Sequence, residues 1–237
     1  MKKFIKWMRR HPNTCSFFIN FLATVLGIVL TLGTTMWYDR HEKAEASETL
    51  VENCLANMEE RLVDLDHVVE FYDQHIKWFS LLEENPLDSL TEDQLEEVYS
   101  IISSQKHLIT NRAYEKAFSQ SSTIHESLGR FSEVIGQGFE FLQYAEGNHA
   151  EINRLKQEFL QDQILSKNTY EYKESMLDIV KASFNDPKFA LYRTQYAQHE
   201  QSVRYMHNYM KRFLPAARRL WNKEITDDEF WAEVNNK

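Results

Sequence analysis

Cysteine is nearly missing from these 237 residues: Cys15 and Cys54 are the only two. Two thiols flanking an apolar stretch build neither a disulfide framework nor a thiolate zinc site. Cys54 is expected to act as a small buried apolar residue. Glycine and proline are scarce as well, with four Gly and three Pro in residues 39–237. That scarcity excludes a turn-rich β fold and favours long helices with short connections. No run alternates β-branched and polar residues, so no sheet is expected.

The usual signatures of chemistry are missing too. There is no Gly-rich phosphate loop, no Gly-x-Ser-x-Gly elbow and no His-Glu-x-x-His. A di-iron bundle needs two Glu-x-x-His motifs, and only one, Glu146-Gly147-Asn148-His149, occurs. Asp64-x-x-His67 reads as a solvated pair. Arg61…His67 and Arg193…His199 have the Arg-x(4–6)-His spacing of some helical ribonucleases. Chance supplies such spacings in a chain with nine histidines, and His199 falls on an apolar stripe. No catalytic, cofactor-binding or metal-ligating residue is assigned, and the chain is expected to be non-enzymatic.

Charge is absent from one long stretch. No residue between Cys15 and Tyr38 is charged, and as a helix Phe17–Trp37 would span roughly 30 Å, the thickness of a bilayer's hydrocarbon core. The apolar region of a cleaved export signal is shorter, about 7–15 residues. The expected organisation is therefore a basic cytoplasmic tail (1–14), a transmembrane signal anchor (15–38) and an extracytoplasmic helical domain (39–237). Lys2, Lys3, Lys6, Arg9 and Arg10 precede the stretch, and only Arg40 and Lys43 closely follow it. Because positive flanks resist translocation, the amino terminus is expected inside and the larger part outside, in a bacterial inner membrane facing the periplasm. Ser16, Asn20, Ala23, Gly27 and Thr31 share one face of the span, a stripe along which two copies could pack.

Acid dominates what remains. Taking the +5 of residues 1–38 from the formal −9 leaves −14 on residues 39–237, which argues against nucleic-acid binding. The apolar pattern there is helical throughout. Val51, Leu55, Met58, Leu62, Leu65, Val69, Tyr72, Ile76 and Phe79 alternate steps of four and three, and Asn85-Pro86 stops that rod. Thr91 with Gln94 forms a capping box, with Leu90 and Leu95 as its staple. The expected buried face there is Leu95, Val98, Tyr99 and Ile102. A short helix is expected over Arg112–Phe118. Another should open on the Thr123–Glu126 box, with a break or kink at Gly147-Asn148 before Ile152, Leu155 and Phe159.

A further helix is expected near 170–182. Asp186-Pro187 then opens a rod with the stripe Phe189, Tyr192, Tyr196, His199, Val203, Met206, Met210 and Phe213, which Pro215 should kink or end. Thr226 and Glu229 cap a last helix. The fold class is all-α: a membrane helix continuing into a long helix that packs in a bundle. Lys211, Arg212, Arg218, Arg219 and Lys223 form a candidate basic surface patch among Phe213, Leu214, Leu220 and Trp221.

The segments "LVENCLANMEERL" and "AYEKAFSQSSTI", after a basic start and one apolar stretch, resemble an uncharacterised family (a domain of unknown function) of short single-pass bacterial inner-membrane proteins. Ala113, Tyr114 and Ser119 match its pattern. Ser121 stands where that family usually has Gly, and "MWYDR" replaces its Asn-Trp. The resemblance implies membrane anchoring and a helical outer domain, and it implies no activity. The expected partners are the lipid bilayer and a protein partner or a second copy, with no cofactor. A periplasmic ligand sensor and an oligomeric pore-type effector are the alternatives.

Overall fold

The computed structural model describes residues 12–108, 110–121, 128–161 and 181–235; the side chains of 12–20, 22, 37, 39, 40 and 102 are not among those described. Every regular element among the described residues is helical, and no strand occurs. In chain order these are α1 (Pro12–Glu84), a 3-10 turn (Leu87–Ser89), α2 (Glu92–Ser103), α3 (Ala113–Gln120), α4 (Phe131–Phe159), α5 (Pro187–Trp221) and α6 (Asp227–Asn235). Residues Met1–Leu50 form one compact unit and Val51–Lys237 a second.

In the first unit the helix is closed on itself. The hydroxyls of Thr31, Thr34 and Thr35 donate to the carbonyls of Gly27, Leu30 and Thr31 at 2.8–2.9 Å, so these polar groups need no water. Its large apolar side chains are exposed: Phe21, Leu26, Ile28, Val29, Leu30, Leu32 and Met36, with Leu30 at 66 %. Among the described residues no helix is long and apolar enough to cross a membrane. Residues 15–20, 22 and 37 of the uncharged stretch lie outside the described side chains, and the tail before Pro12 lies outside the description altogether.

The second unit is a helical bundle in which α4 packs along α5, α5 against α6, and α2 against α4. Hydrogen bonds from residues 61–75 of α1 reach α3, α4 and α5. Local signals set the helix ends as expected. Helix α1 stops one residue before Asn85-Pro86. Thr91 and Gln94 form the reciprocal capping box of α2, Asp186 caps α5 with Pro187 in its first turn, and Thr226 and Glu229 exchange hydrogen bonds at the start of α6.

Four expectations change. Helix α4 runs without a break through Gly147 and Asn148, because Ile152, Leu155 and Phe159 beyond them are buried and outweigh a cost of about 1 kcal/mol for one helical Gly. Helix α5 continues past Pro215 to Trp221, held by buried Phe213, Leu214, Ala216 and Ala217 on either side. Helix α3 begins at Ala113 and ends at Gln120. On α2 the buried positions are Leu95, Val98 and Ile101, with Tyr99 only half-buried. The Thr123–Glu126 box and most of the helix expected near 170–182 fall outside the described residues.

The buried stripes are also phased differently. On α1 the buried residues are Ser47, Val51, Cys54, Leu55, Asn57, Met58, Arg61, Leu65, Val68, Tyr72, His75 and Phe79. Leu62 and Val69 are only half-buried and Ile76 is exposed. On α5 Glu200 and His207 are buried, where His199 and Met206 were expected. In both rods some inward positions are ionisable: Arg61 and His75 on α1, Glu200 and His207 on α5.

Two glycines of α4 sit in opposite surroundings. A Cβ on Gly138 would lie 2.7 Å from Met58 Sδ and 3.0 Å from Phe213 Cε1, whereas one on Gly147 would meet nothing within 4 Å. Gly138→Val is expected to destabilise the chain by about 1–3 kcal/mol through overpacking. Gly147→Ala should stabilise it by up to about 1 kcal/mol. Urea unfolding of both variants checks the pair.

Candidate functional site: buried ionisable groups at the centre of the bundle

Helices α1, α4 and α5 each turn ionisable side chains inward at one level. Lys156 of α4 and His75 of α1 are both 0 % exposed. The Lys156 amine lies 3.2 Å from His75 Nε2 and donates to the Ser104 carbonyl at 2.9 Å. It also faces the rings of Phe71, at 4.7 Å, and Tyr196, at 5.6 Å. On its other side His75 Nδ1 pairs with the Tyr196 hydroxyl. With the amine neutral, donation runs one way: Tyr196 O–H to His75 Nδ1, His75 Nε2–H to Lys156, Lys156 N–H to Ser104.

A second chain lies beside it. The Tyr72 hydroxyl donates to His149 Nδ1 at 2.6 Å, and His149 Nε2–H donates to the Lys106 carbonyl at 2.6 Å. That carbonyl also accepts from Asn153 Nδ2 at 2.8 Å. The two chains end on carbonyls of one connecting segment, the residues just after α2.

Burial sets the protonation states. Loss of water pushes the Lys156 ammonium down to about 7 from its usual 10.5. The His75 imidazole falls to about 2, through burial first and the neighbouring Lys156 charge second. His149 is lowered, mainly by burial, while its bond to the Lys106 carbonyl acts the other way. Burial also raises the Glu200 carboxyl, against the pull of Arg204. Tyr72, Tyr192 and Tyr196 are all raised by burial and stay protonated.

A separate buried ion cluster sits further along α1. Arg61 donates to Glu146 at 2.7 Å and to Glu115 at 2.9 Å, and Arg112 reaches Glu146 at 3.1 Å. These bonds tie α3 and α4 to α1. His207 of α5 lies 2.6 Å from Asp66, which also holds Lys211 at 2.9 Å. Cys54 is buried, as expected, and loss of water pushes its thiol up to about 12.

A near-neutral amine between aromatic rings is the usual form of a catalytic lysine. Here it is 0 % exposed, and two hollows reach its neighbours. A groove of 410 Å³ touches Tyr196 and Glu200 from the α1–α5 side. A cavity of 260 Å³, lined by Arg112, Glu146, Gly147, His149 and Asn153 among others, lies on the α4 side. No cluster of three metal-ligating side chains occurs among the described residues.

The residues singled out from the sequence lie elsewhere. Ala23, Gly27 and Thr31 are exposed on α1, and the side chains of Ser16 and Asn20 lie outside the described ones. The candidate basic patch is largely neutralised within the chain. Lys211 pairs with Asp66, Arg218 with Glu52 and Glu59, and Arg219 with Glu224 and Glu233. Trp221 donates to Glu52 at 2.7 Å, Arg212 has an interaction of its own, and Lys223 is exposed at the end of α5. His67 is exposed beside Glu70, while Arg193 turns to Glu83 and His199 to Asn148.

No family model, no curated protein and no solved structure matches the chain. Its own geometry therefore carries the functional reading.

A buried amine with a depressed pKa makes folding favour its neutral form. Between pH 7.5 and 9.5 the unfolded chain binds more protons at this site than the folded one, so stability rises with pH there. Lys156 is expected to contribute up to about 1.4 kcal/mol per pH unit over that window. Lys156→Met should remove the slope, as read from urea unfolding at several pH values.

Proposed function

We propose that the chain is a non-enzymatic, membrane-anchored helical interaction module. Residues 15–38 hold it in a bacterial inner membrane, with the amino terminus in the cytoplasm and residues 39–237 in the periplasm. The observation that carries this reading is the uncovered apolar run on α1. Phe21, Leu26, Ile28, Val29, Leu30, Leu32 and Met36 are exposed on consecutive turns, with no charge from Ser16 to Tyr38. An apolar surface of that extent in water is strongly unfavourable, and a bilayer removes the cost. The surplus of Lys and Arg ahead of the run supports the orientation.

The interaction role is supported by how the bundle spends its side chains. Its central ionisable groups are enclosed and hydrogen-bonded among themselves, a structural use. Val63, Ile76, Tyr144, Leu191 and Tyr205 remain exposed on α1, α4 and α5, apolar surface suited to a protein partner or a second copy. The strongly acidic second unit weighs against nucleic acid as that partner. A periplasmic ligand-sensing role is the second reading, favoured by the 260 Å³ polar cavity beside Arg112, Glu146 and His149.

The full chain expressed in a bacterium should remain in the membrane pellet after alkaline carbonate extraction. A chain lacking residues 1–38 but retaining an export signal should appear in the soluble periplasmic fraction. Release of the full chain by carbonate would refute the anchor, and an active cytoplasmic reporter fused after Lys237 would refute the orientation.

A further inference from the structure

The two buried hydrogen-bond chains converge on a single segment, residues 104–108, which leaves α2 and carries no helix of its own. Lys156 holds its first carbonyl, and His149 with Asn153 holds the carbonyl of Lys106. Each contact uses a titratable side chain of α4, and each is backed by a residue of α1: His75 behind Lys156, Tyr72 behind His149. We propose that this arrangement is a proton-sensitive latch, docked on α4 in neutral and alkaline conditions and released by acid.

A proton taken up inside the site has no acceptor to face. If His75 is protonated, Nε2–H⁺ points at the Lys156 amine 3.2 Å away, and once that amine is also charged two donors face each other with nothing to accept. The groups around the pair offer little relief. From α1 come Tyr72, His75 and, further out, Asp73; from the segment itself Lys106 and His107; from α4 His149 and Lys156. From α5 come Tyr192, Tyr196, Glu200 and Arg204. Among the described residues the carboxylate set against Lys156 is that of Glu200, and Arg204 already binds it at 2.8 Å. Release of the segment opens the level to water, where amine and imidazoles charge freely.

The direction follows from linkage. Burial in the closed bundle lowers the pKa of Lys156, His75 and His149, the Lys106 carbonyl alone pulling His149 the other way, so a released state open to water binds more protons and acid favours it. For Lys156 the effect accumulates as pH falls from about 10.5 to about 7, and for the histidines as it falls below about 6.5. Glu200 is shifted upward and works the other way, one group against three.

The test is native-state proteolysis of the full chain in lipid nanodiscs by proteinase K, with cleavage sites mapped by mass spectrometry. Rates are divided by those on a free peptide of residues 102–114 at the same pH. Normalised cleavage within 104–112 is expected to rise at least about tenfold from pH 8.5 to pH 5.5, while α5 stays uncut. His149→Gln and His75→Gln keep a hydrogen-bonding side chain but no titration, and each should reduce the part of the rise below about pH 6.5 while leaving the part that Lys156 carries between pH 8.5 and about 7. Should one variant lose its helical circular dichroism, the other decides. A flat wild-type profile, simultaneous cleavage of α5, or a full rise retained in a folded variant overturns the proposal.

Discussion

Every element of the bundle answers to one constraint: α1, α4 and α5 must close on a level where Lys156, His75, His149 and Glu200 are all turned inward. Apolar packing on either side, from Leu55, Met58 and Phe213 to Phe79, Phe159 and Phe189, supplies most of the favourable free energy, at roughly 25 cal/mol per Å² buried. The ionisable level adds little net stability, because stripping water from such groups is costly. What it adds is uniqueness of register. If α5 slid along α1, the Tyr196–His75 pair and the His207–Asp66 pair would part, leaving buried polar groups unmatched. The Arg61–Glu115–Glu146 cluster fixes the position of α3 and α4 in the same way.

The helical class, most helix ends and three caps were legible in the sequence, because they rest on local chemistry: Asn85-Pro86, Thr91 with Gln94, Asp186-Pro187, Thr226 with Glu229. The phase of the stripes was not. On α1 the residues Val51, Met58, Leu65, Tyr72 and Phe79 recur every seven positions and are buried. The intervening slot is filled by Cys54, Arg61, Val68 and His75, the neighbours of Leu55, Leu62, Val69 and Ile76. A rule that seeks apolar residues takes Leu62 over Arg61 and Ile76 over His75, so it draws the stripe one residue off. The same one-residue shift puts Glu200 and His207 inside on α5. A usable signal did exist: the sequence Tyr72, His75, Phe79 and the sequence Tyr196, Glu200, Val203, His207, Met210 both step by three and four. Lys156 left no such trace, since a lone lysine on a mixed helix reads as solvated until a histidine is found opposite it. At Gly147 and Pro215 the helix neither breaks nor ends, because tertiary burial on both sides overrode a local penalty.

The two units of the chain thus use opposite arrangements. Residues 21–36 show apolar side chains outward, and Thr31, Thr34 and Thr35 satisfy their hydroxyls on the helix itself. Beyond Val51 the apolar groups turn inward, and most acidic side chains are either solvated or matched to Arg and Lys of the same bundle. The basic residues near the end of α5 belong to that matching. Their partners Glu52, Glu59, Asp66 and Glu233 pin the last turns of α5 to α1 and α6, which is why they do not form a free cationic surface. Surface pairs of this kind are each worth about 0–1 kcal/mol, so they guide orientation more than they stabilise.

The centre of the bundle is an amine sealed from water, its pKa brought down by burial from 10.5 to about 7. Nuclear magnetic resonance titration of the Lys156 side chain, followed at 15Nζ and 13Cε in the full chain, measures this directly. A midpoint near 7, well apart from the other lysines, is the predicted result. A midpoint at the ordinary lysine value of about 10.5 would mean that Lys156 reaches water, and it would contradict the packing of α1, α4 and α5 described above.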